Sequence, residues 1–246
     1  MEQMKLYRVA WWRKWLTRPL IRLLLGGFIH LLARIKIIGR ENVPLGKPYI
    51  MAFNHVSLFD PPVMGVFWPE QLEAMGAADI WSKPGQNILA RLWGGIPVHR
   101  GEYDRALFDK VLGALKAGYP MLIAPEGGRS HAPGMHQAKP GIAFIVEQFE
   151  VSVIPVGIVG TTDDFFHKAI HGGRPTIEIH IGKPLILPAV EGRGEARRLS
   201  RQANADLVMT HIAWLLPEEY RGVYPVSSET VEGGVEENRK IRVNPV

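Results

Sequence analysis

Residues 48–62 read Pro-Tyr-Ile-Met-Ala-Phe-Asn-His-Val-Ser-Leu-Phe-Asp-Pro-Pro. The apolar run ending at Phe53 has the length of a short strand and shows no polar alternation, the pattern of a strand buried on both faces. Asp60 followed by Pro61 and Pro62 marks a helix start, an N-cap carboxylate with proline in the first turn. That helix is expected to run to about Phe67. A strand, a short loop and a helix make the repeating unit of an α/β fold, and the chain continues in the same manner.

Working outward, Pro120–Ala124, Val151–Val159 and the alternating Thr176–Ile181 read as strands, and Gly95–Val98 as an extended element. Gly85–Trp93, Asp104–Ala117, Gly141–Phe149 and Glu195–Leu216 read as helices, the second amphipathic through Leu107, Val111, Leu112 and Leu115. Residues 70–79 read as a polar connection with an apolar component. The expected architecture is an α/β fold with a mixed, mostly parallel sheet flanked by helices. Residues 1–36 read as a helical N-terminal segment, 37–216 as the main domain and 217–246 as a loose polar tail.

The chain has 246 residues, 46% of them hydrophobic, and no cysteine, which excludes a disulfide framework, a thiolate metal site and a cysteine nucleophile. Its net charge of +5 is unevenly placed. The first 40 residues carry nine of the 29 Lys and Arg but only one of the 24 acidic residues. Basic clustering of this kind suits nucleic acid or an anionic membrane surface. The neighbours of the charge favour the membrane: Trp11, Trp12 and Trp15 lie among the cations, and the apolar run Leu20–Leu32 follows. Tryptophan beside Arg and Lys is characteristic of the headgroup level of a bilayer. The stretch without charge, Leu23–Ala33, is about half of the ~20 residues needed to span. The segment is therefore expected to lie in the interface as one or two amphipathic helices. A signal peptide or a core-packed helix pair are the rival readings, and no nucleic-acid partner is expected.

Four islands carry chemistry. Asn54-His55-Val-Ser-Leu-Phe-Asp60 puts an imidazole between a buried strand and a helix. Asp60, five residues on, is in position to fix one ring nitrogen and leave the other as a general base. Ala124-Pro-Glu126-Gly127-Gly128-Arg129-Ser130 also follows a buried strand. Its glycines free backbone N–H groups for an anion, and Arg129 offers a two-pronged phosphate contact. Gly95-Ile-Pro-Val-His-Arg100 ends an apolar element on a cation. Val153-Ile-Pro-Val-Gly157 has no catalytic side chain and is expected to form a wall. Ser57 lacks the G-x-S-x-G context of a nucleophile. His167 and His171, four apart, lack a third ligand at suitable spacing, so no metal is expected.

Together these islands resemble the bacterial glycerolipid acyltransferase family, especially 1-acylglycerol-3-phosphate (lysophosphatidic acid) acyltransferases. The first is similar to the family's N-H-x4-D motif and the second to its P-E-G-T-R-S motif, with Gly128 where threonine is usual. Gly95–Arg100, Val153–Val156 and the pair Lys139 and Gly141 resemble further family motifs in the same order. The resemblance runs from about Lys36 to Ile181 and implies roles. His55 would be the general base and Asp60 its partner, while Arg100, Glu126, Gly127, Arg129 and Lys83 would bind the acceptor's phosphate and glycerol end. It implies direct transfer of a fatty acyl group from acyl-CoA or acyl-carrier protein, used as co-substrate without another cofactor, to a lysophospholipid hydroxyl on the cytoplasmic face of the cell membrane. The oxyanion would be met by backbone N–H groups near the first island. Gly128 leaves other acceptors open: another lysophospholipid, glycerol 3-phosphate or an aminolipid. A non-catalytic lipid-binding relative is the remaining alternative.

Overall fold

The computed structural model describes residues 7–99 and 104–226. Seven strands form one sheet in the order β1-β7-β6-β2-β5-β3-β4. They are β1 (Arg34–Ile38), β2 (Ile50–Phe53), β3 (Glu73–Ala77), β4 (Ile96–Val98), β5 (Met121–Ile123), β6 (Val153–Val159) and β7 (Thr176–Ile181). Strands β2 to β6 are mutually parallel, β7 runs antiparallel to β6, and β1 runs parallel to β7. The mixed, mostly parallel sheet expected from the sequence is present.

The central strands β2, β5 and β6 are unbroken apolar runs because helices cover both faces. Ile50 and Ala52 of β2 point into a core shared with α4 (Arg105–Lys116), α5 (Gly141–Gln148) and α7 (Gly194–Ala213). Met51 and Phe53, one residue out of phase, point into the opposite core with α1 (Arg18–Leu32) and α2 (Asp60–Phe67). Helices α3 (Gln86–Trp93), α6 (Phe165–Ile170) and α8 (Glu218–Arg221) complete the described α-helices.

Three expectations change. Residues 34–36, read as helix, open β1, so an N-terminal boundary at 36 would cut a strand. Arg34–Ile38 alternates exposure along its length and is held by its ladder with β7. Residues 73–77, read within a polar connection, form β3: Glu-Ala-Met-Gly-Ala lacks β-branched residues, and pairing with β4 and β5 overrides its weak propensity. The tail expected from 217 begins instead as packed structure. Tyr220 and Tyr224 are buried; the Tyr220 hydroxyl accepts from Gly160 N, and that of Tyr224 accepts from Ala138 N and donates to Asp206. Residues 227–246 lie outside the described residues.

The N-terminal helix has two unlike sides. A π-helical turn, Arg13–Thr17, runs directly into α1, and the combined 20-residue helix is long and apolar enough to cross a bilayer by length and composition. One side is tied to the domain. Arg18 is 1% exposed, binds Glu73 through both terminal nitrogens (2.6 and 3.0 Å) and donates its Nε to Trp93 O. Arg22 donates to the carbonyls of Val66 and Trp68. The other side exposes Leu16, Leu20, Leu23, Leu24, Phe28 and Leu31, each between 48% and 74%. These fall on one helical stripe.

Candidate active site

Parallel strands deliver their C-terminal ends to one edge of the sheet, where open α/β sheets place their sites. Strand β2 ends at Phe53, β5 at Ile123 and β6 at Val159, and β2 lies between the other two. The segments that follow, 54–60, 124–130 and 160–162, therefore meet there.

The first segment is pinned by Asn54, which is fully buried. Its side chain accepts from Ile158 N (2.8 Å) and donates to Ile158 O (3.0 Å), extending the β2–β6 ladder by an amide in place of backbone. The chain then turns. His55 Nδ1 lies 2.8 Å from Asp60 Oδ2, which also accepts from Ser57 N at 2.8 Å. Asp60 Oδ1 accepts from the Thr161 hydroxyl at 2.5 Å. A carboxylate addressed by two other donors acts as acceptor toward the ring, so Nδ1 carries the hydrogen and Nε2 keeps its lone pair. Nε2 has no hydrogen-bond partner among the described residues. The imidazole side chain is 15% exposed and Asp60 wholly buried, so the pair faces outward through the ring.

Asp60 is not the N-cap expected of it. Phe59 takes the cap position, Asp60 is the first helical residue, and its carboxylate is turned toward His55 and Thr161. The apolar loop residue Phe59 packs on Phe165 and stacks on Phe166.

Glu126 holds the two loops together. One oxygen accepts from His55 N and the other from His136 N, both at 2.8 Å, and Ser130 N donates to His55 O at 2.9 Å. Burial pushes the Glu126 carboxyl above its usual range, and the two backbone donors oppose that rise. Gly127, at φ +71°, lies against Lys139: a Cβ there would sit 2.7 Å from Lys139 Cδ. The glycine thus provides both a left-handed turn and the space for the lysine stem. Arg129 is partly buried and has no ion pair or hydrogen bond among the described residues. Lys83 is paired with Asp79 at 2.5 Å on the surface, one turn apart, and no contact joins it to the His55 cluster. Arg100 lies outside the described residues.

Thr161 is the member of this cluster that the sequence did not mark, since a threonine after an apolar strand carries no distinguishing pattern. Its role is testable. Thr161→Val leaves a fully buried Asp60 oxygen without its donor, which costs about 1–3 kcal/mol of stability. If about 1.4 kcal/mol of that loss appears in orienting His55, kcat falls about tenfold with KM unchanged. Steady-state kinetics beside a melting curve separates the two effects.

Fold and site together define a class: an α/β protein with a histidine–aspartate pair at the C-terminal edge of a parallel sheet, its imidazole open on one side. Comparison with known proteins makes the assignment more specific. A family model described as Acyltransferase matches residues 34–159, half of the chain, and the protein belongs to that family. A 1-acyl-sn-glycerol-3-phosphate acyltransferase of Borreliella burgdorferi is 27% identical over 159 residues, 63% of each chain. A lyso-ornithine lipid O-acyltransferase of Pseudomonas aeruginosa is 25% identical over 174 residues, covering 64% of this chain and 66% of that one. A putative 1-acyl-sn-glycerol-3-phosphate acyltransferase of Caenorhabditis elegans is 28% identical over 140 residues, 54% of this chain and 53% of that one. The chain thus spans roughly half to two thirds of the length of these relatives. The crystal structure of the 1-acyl-sn-glycerophosphate (LPA) acyltransferase of Thermotoga maritima shares the fold, with a TM-score of 0.58 at 24% identity over 80% of this chain and 79% of that one.

Proposed function

We propose that this chain transfers a fatty acyl group from an acyl thioester, carried by coenzyme A or acyl-carrier protein, to the free hydroxyl of 1-acyl-glycerol 3-phosphate, giving phosphatidic acid. The observation that carries the proposal is the 2.8 Å contact between His55 Nδ1 and Asp60, with Nε2 unpartnered among the described residues. That arrangement supports general-base catalysis. Nε2 takes the hydroxyl proton as the oxygen attacks the thioester carbonyl. The tetrahedral intermediate collapses, the C–S bond breaks, and the imidazolium returns the proton to the departing thiolate. The Asp60 carboxylate stabilises the imidazolium through Nδ1–H. No covalent enzyme intermediate is needed.

Acceptor binding is assigned to Arg129, whose guanidinium is unpaired among the described residues and suits a phosphate, together with Arg100, two residues after β4 in the sequence. Lys83 would join them only by exchanging Asp79 for phosphate. Glu126 and Gly127 serve the acceptor by shaping the turn that carries Arg129, since both Glu126 oxygens already accept from backbone. The membrane is assigned to the exposed stripe of α1. Its opposite side is fixed to the domain through Arg18 and Arg22, which supports a helix lying along the cytoplasmic surface with the domain above it.

A second acceptor class is favoured by one specific feature. Gly128 removes the hydroxyl that the related motif carries beside its arginine, and one relative is named for lyso-ornithine lipid, an aminolipid. The test is acyl transfer from labelled oleoyl-CoA and from oleoyl-acyl-carrier protein, in detergent micelles, to lysophosphatidic acid, glycerol 3-phosphate and lyso-ornithine lipid. Transfer preferring lysophosphatidic acid supports the proposal. Transfer only to lyso-ornithine lipid replaces the acceptor, and transfer to none removes the enzymatic reading. With lysophosphatidic acid, Arg129→Ala is expected to lower kcat/KM about 10–100-fold, the loss of one charged hydrogen-bonded contact worth ~1.5–3 kcal/mol.

A further inference from the structure

The described residues also enclose a cleft far from His55. It has a volume of about 230 Å³ and lies where β3 and β4 begin, the edge of the sheet opposite the His55–Asp60 pair. Tyr7, Arg8, Arg13, Arg18, Glu73 and Lys110 supply its polar lining.

The charges in this cleft do not balance. Its one acidic residue, Glu73, is fully engaged: both oxygens meet Arg18, and Oε2 also accepts from the Tyr7 hydroxyl at 2.6 Å. Burial, and then the Glu73 charge, push the Tyr7 phenol upward, so it stays a donor to Glu73. Arg18 and Glu73 cancel. Arg8, Arg13 and Lys110 remain, three cations without an ion pair among the described residues. The Arg13 guanidinium lies against the bare Cα of Gly94, where a Cβ would approach its Cδ to 2.9 Å, and its Nε is buried without a hydrogen-bond partner. A concave site with three unmatched positive charges and an unused buried donor calls for an anion with several acceptor oxygens.

The surroundings select the kind of anion. Arg13 shares its turns with Trp11, Trp15 and Leu16, exposed by 73%, 71% and 58%. These open the apolar stripe that continues along α1 to Leu31. Exposed tryptophan beside cations belongs at the headgroup level. The volume lies below the ~300–1,000 Å³ of a drug-sized pocket and suits a headgroup whose chains remain in the bilayer.

We propose that this cleft binds the phosphate of an anionic bilayer phospholipid, as a headgroup site separate from that of the acceptor. Bound there, the lipid anchors the start of the α1 stripe at the far edge of the sheet from His55. The proposal rests on the membrane-surface reading of α1.

The test uses the full chain, floated with vesicles of phosphatidylcholine alone or with added phosphatidylglycerol. The native protein is expected to bind both and to bind the anionic vesicles more tightly. Arg8→Gln with Lys110→Gln is expected to lose roughly 20-fold or more of that anionic gain, about fivefold for each charge at the surface. The same pair should keep phosphatidylcholine binding and acyl transfer in neutral micelles. Arg193→Gln with Arg198→Gln removes equal charge from the start of α7 and should keep the gain. Monomeric short-chain phosphatidylglycerol should raise the melting temperature of the native protein but not of the Arg8/Lys110 variant, and inorganic phosphate should leave both unchanged. An equal loss in the α7 pair would mean diffuse charge and overturn the site. Stabilisation by inorganic phosphate that the variant loses would overturn the lipid assignment in favour of a soluble phosphate. Native binding to phosphatidylcholine without an anionic gain would remove the headgroup site alone. No binding to either vesicle would remove the membrane reading together with it.

Discussion

His55→Ala is expected to lower kcat for acyl transfer by about 10²–10⁴-fold, the range contributed by a positioned general base. KM for the acceptor should change little, because the imidazole acts on the proton in flight and not on the phosphate. Asp60→Asn should fall in the same direction for a distinct reason. An amide at that position offers a donor as well as an acceptor to a site where Nδ1–H, Ser57 N–H and the Thr161 hydroxyl all donate. The ring can then flip its tautomer, placing the hydrogen on Nε2 where the base is needed. The two changes together should cost scarcely more than His55→Ala alone, since residues that act as a unit are not additive. Transfer by His55→Ala at the native rate would remove His55 from the mechanism. The check is single-turnover transfer in micelles, with circular dichroism establishing that the variant is folded.

The second large effect concerns stability. Arg18 and Glu73 form a hydrogen-bonded ion pair with both side chains 1% exposed. Removing one partner leaves the other charged and buried, which costs about 3–5 kcal/mol. Glu73→Ala is expected to show that loss in urea unfolding and to release the Tyr7 hydroxyl as well. Arg18→Met combined with Glu73→Leu should recover most of it, because apolar residues of similar volume often replace a buried pair at little cost. A loss below about 1 kcal/mol in Glu73→Ala would mean that α1 separates from the domain before global unfolding. The pair would then fasten the helix without contributing to the core.

That ion pair also marks where sequence reading stopped. Arg18 belongs to the basic N-terminal cluster that charge counting assigns to a membrane, and nothing local distinguishes it from Arg8 or Lys14. Its partner is 55 residues away on a strand whose sequence, Glu-Ala-Met-Gly-Ala, has little strand character. Likewise, residues 34–36, Arg-Ile-Lys, directly follow an apolar helical pattern and are sheet, paired along β7. Short elements are decided by the neighbours they pair with, and periodicity within a few residues cannot register those neighbours.

Much of the rest was legible for physical reasons. Strands β2, β5 and β6 are buried on both faces, so each had to be an uninterrupted apolar run, and each was expected close to where it lies. His55 with Asp60, and Glu126 with Arg129, stand out because they directly follow apolar strands, where an open α/β sheet places its sites. The sequence by itself therefore determined the α/β class and which polar residues follow its buried strands. Only the tertiary structure decided their partners. It gave Asp60 to His55 and Thr161 in place of a helix cap, gave Glu126 to the backbone N–H groups of His55 and His136, and gave Arg18 to Glu73 in place of the membrane. Residue type and local spacing fix which element forms and which face is buried. The partner a polar group finds depends on where distant strands end, a property of the folded sheet as a whole.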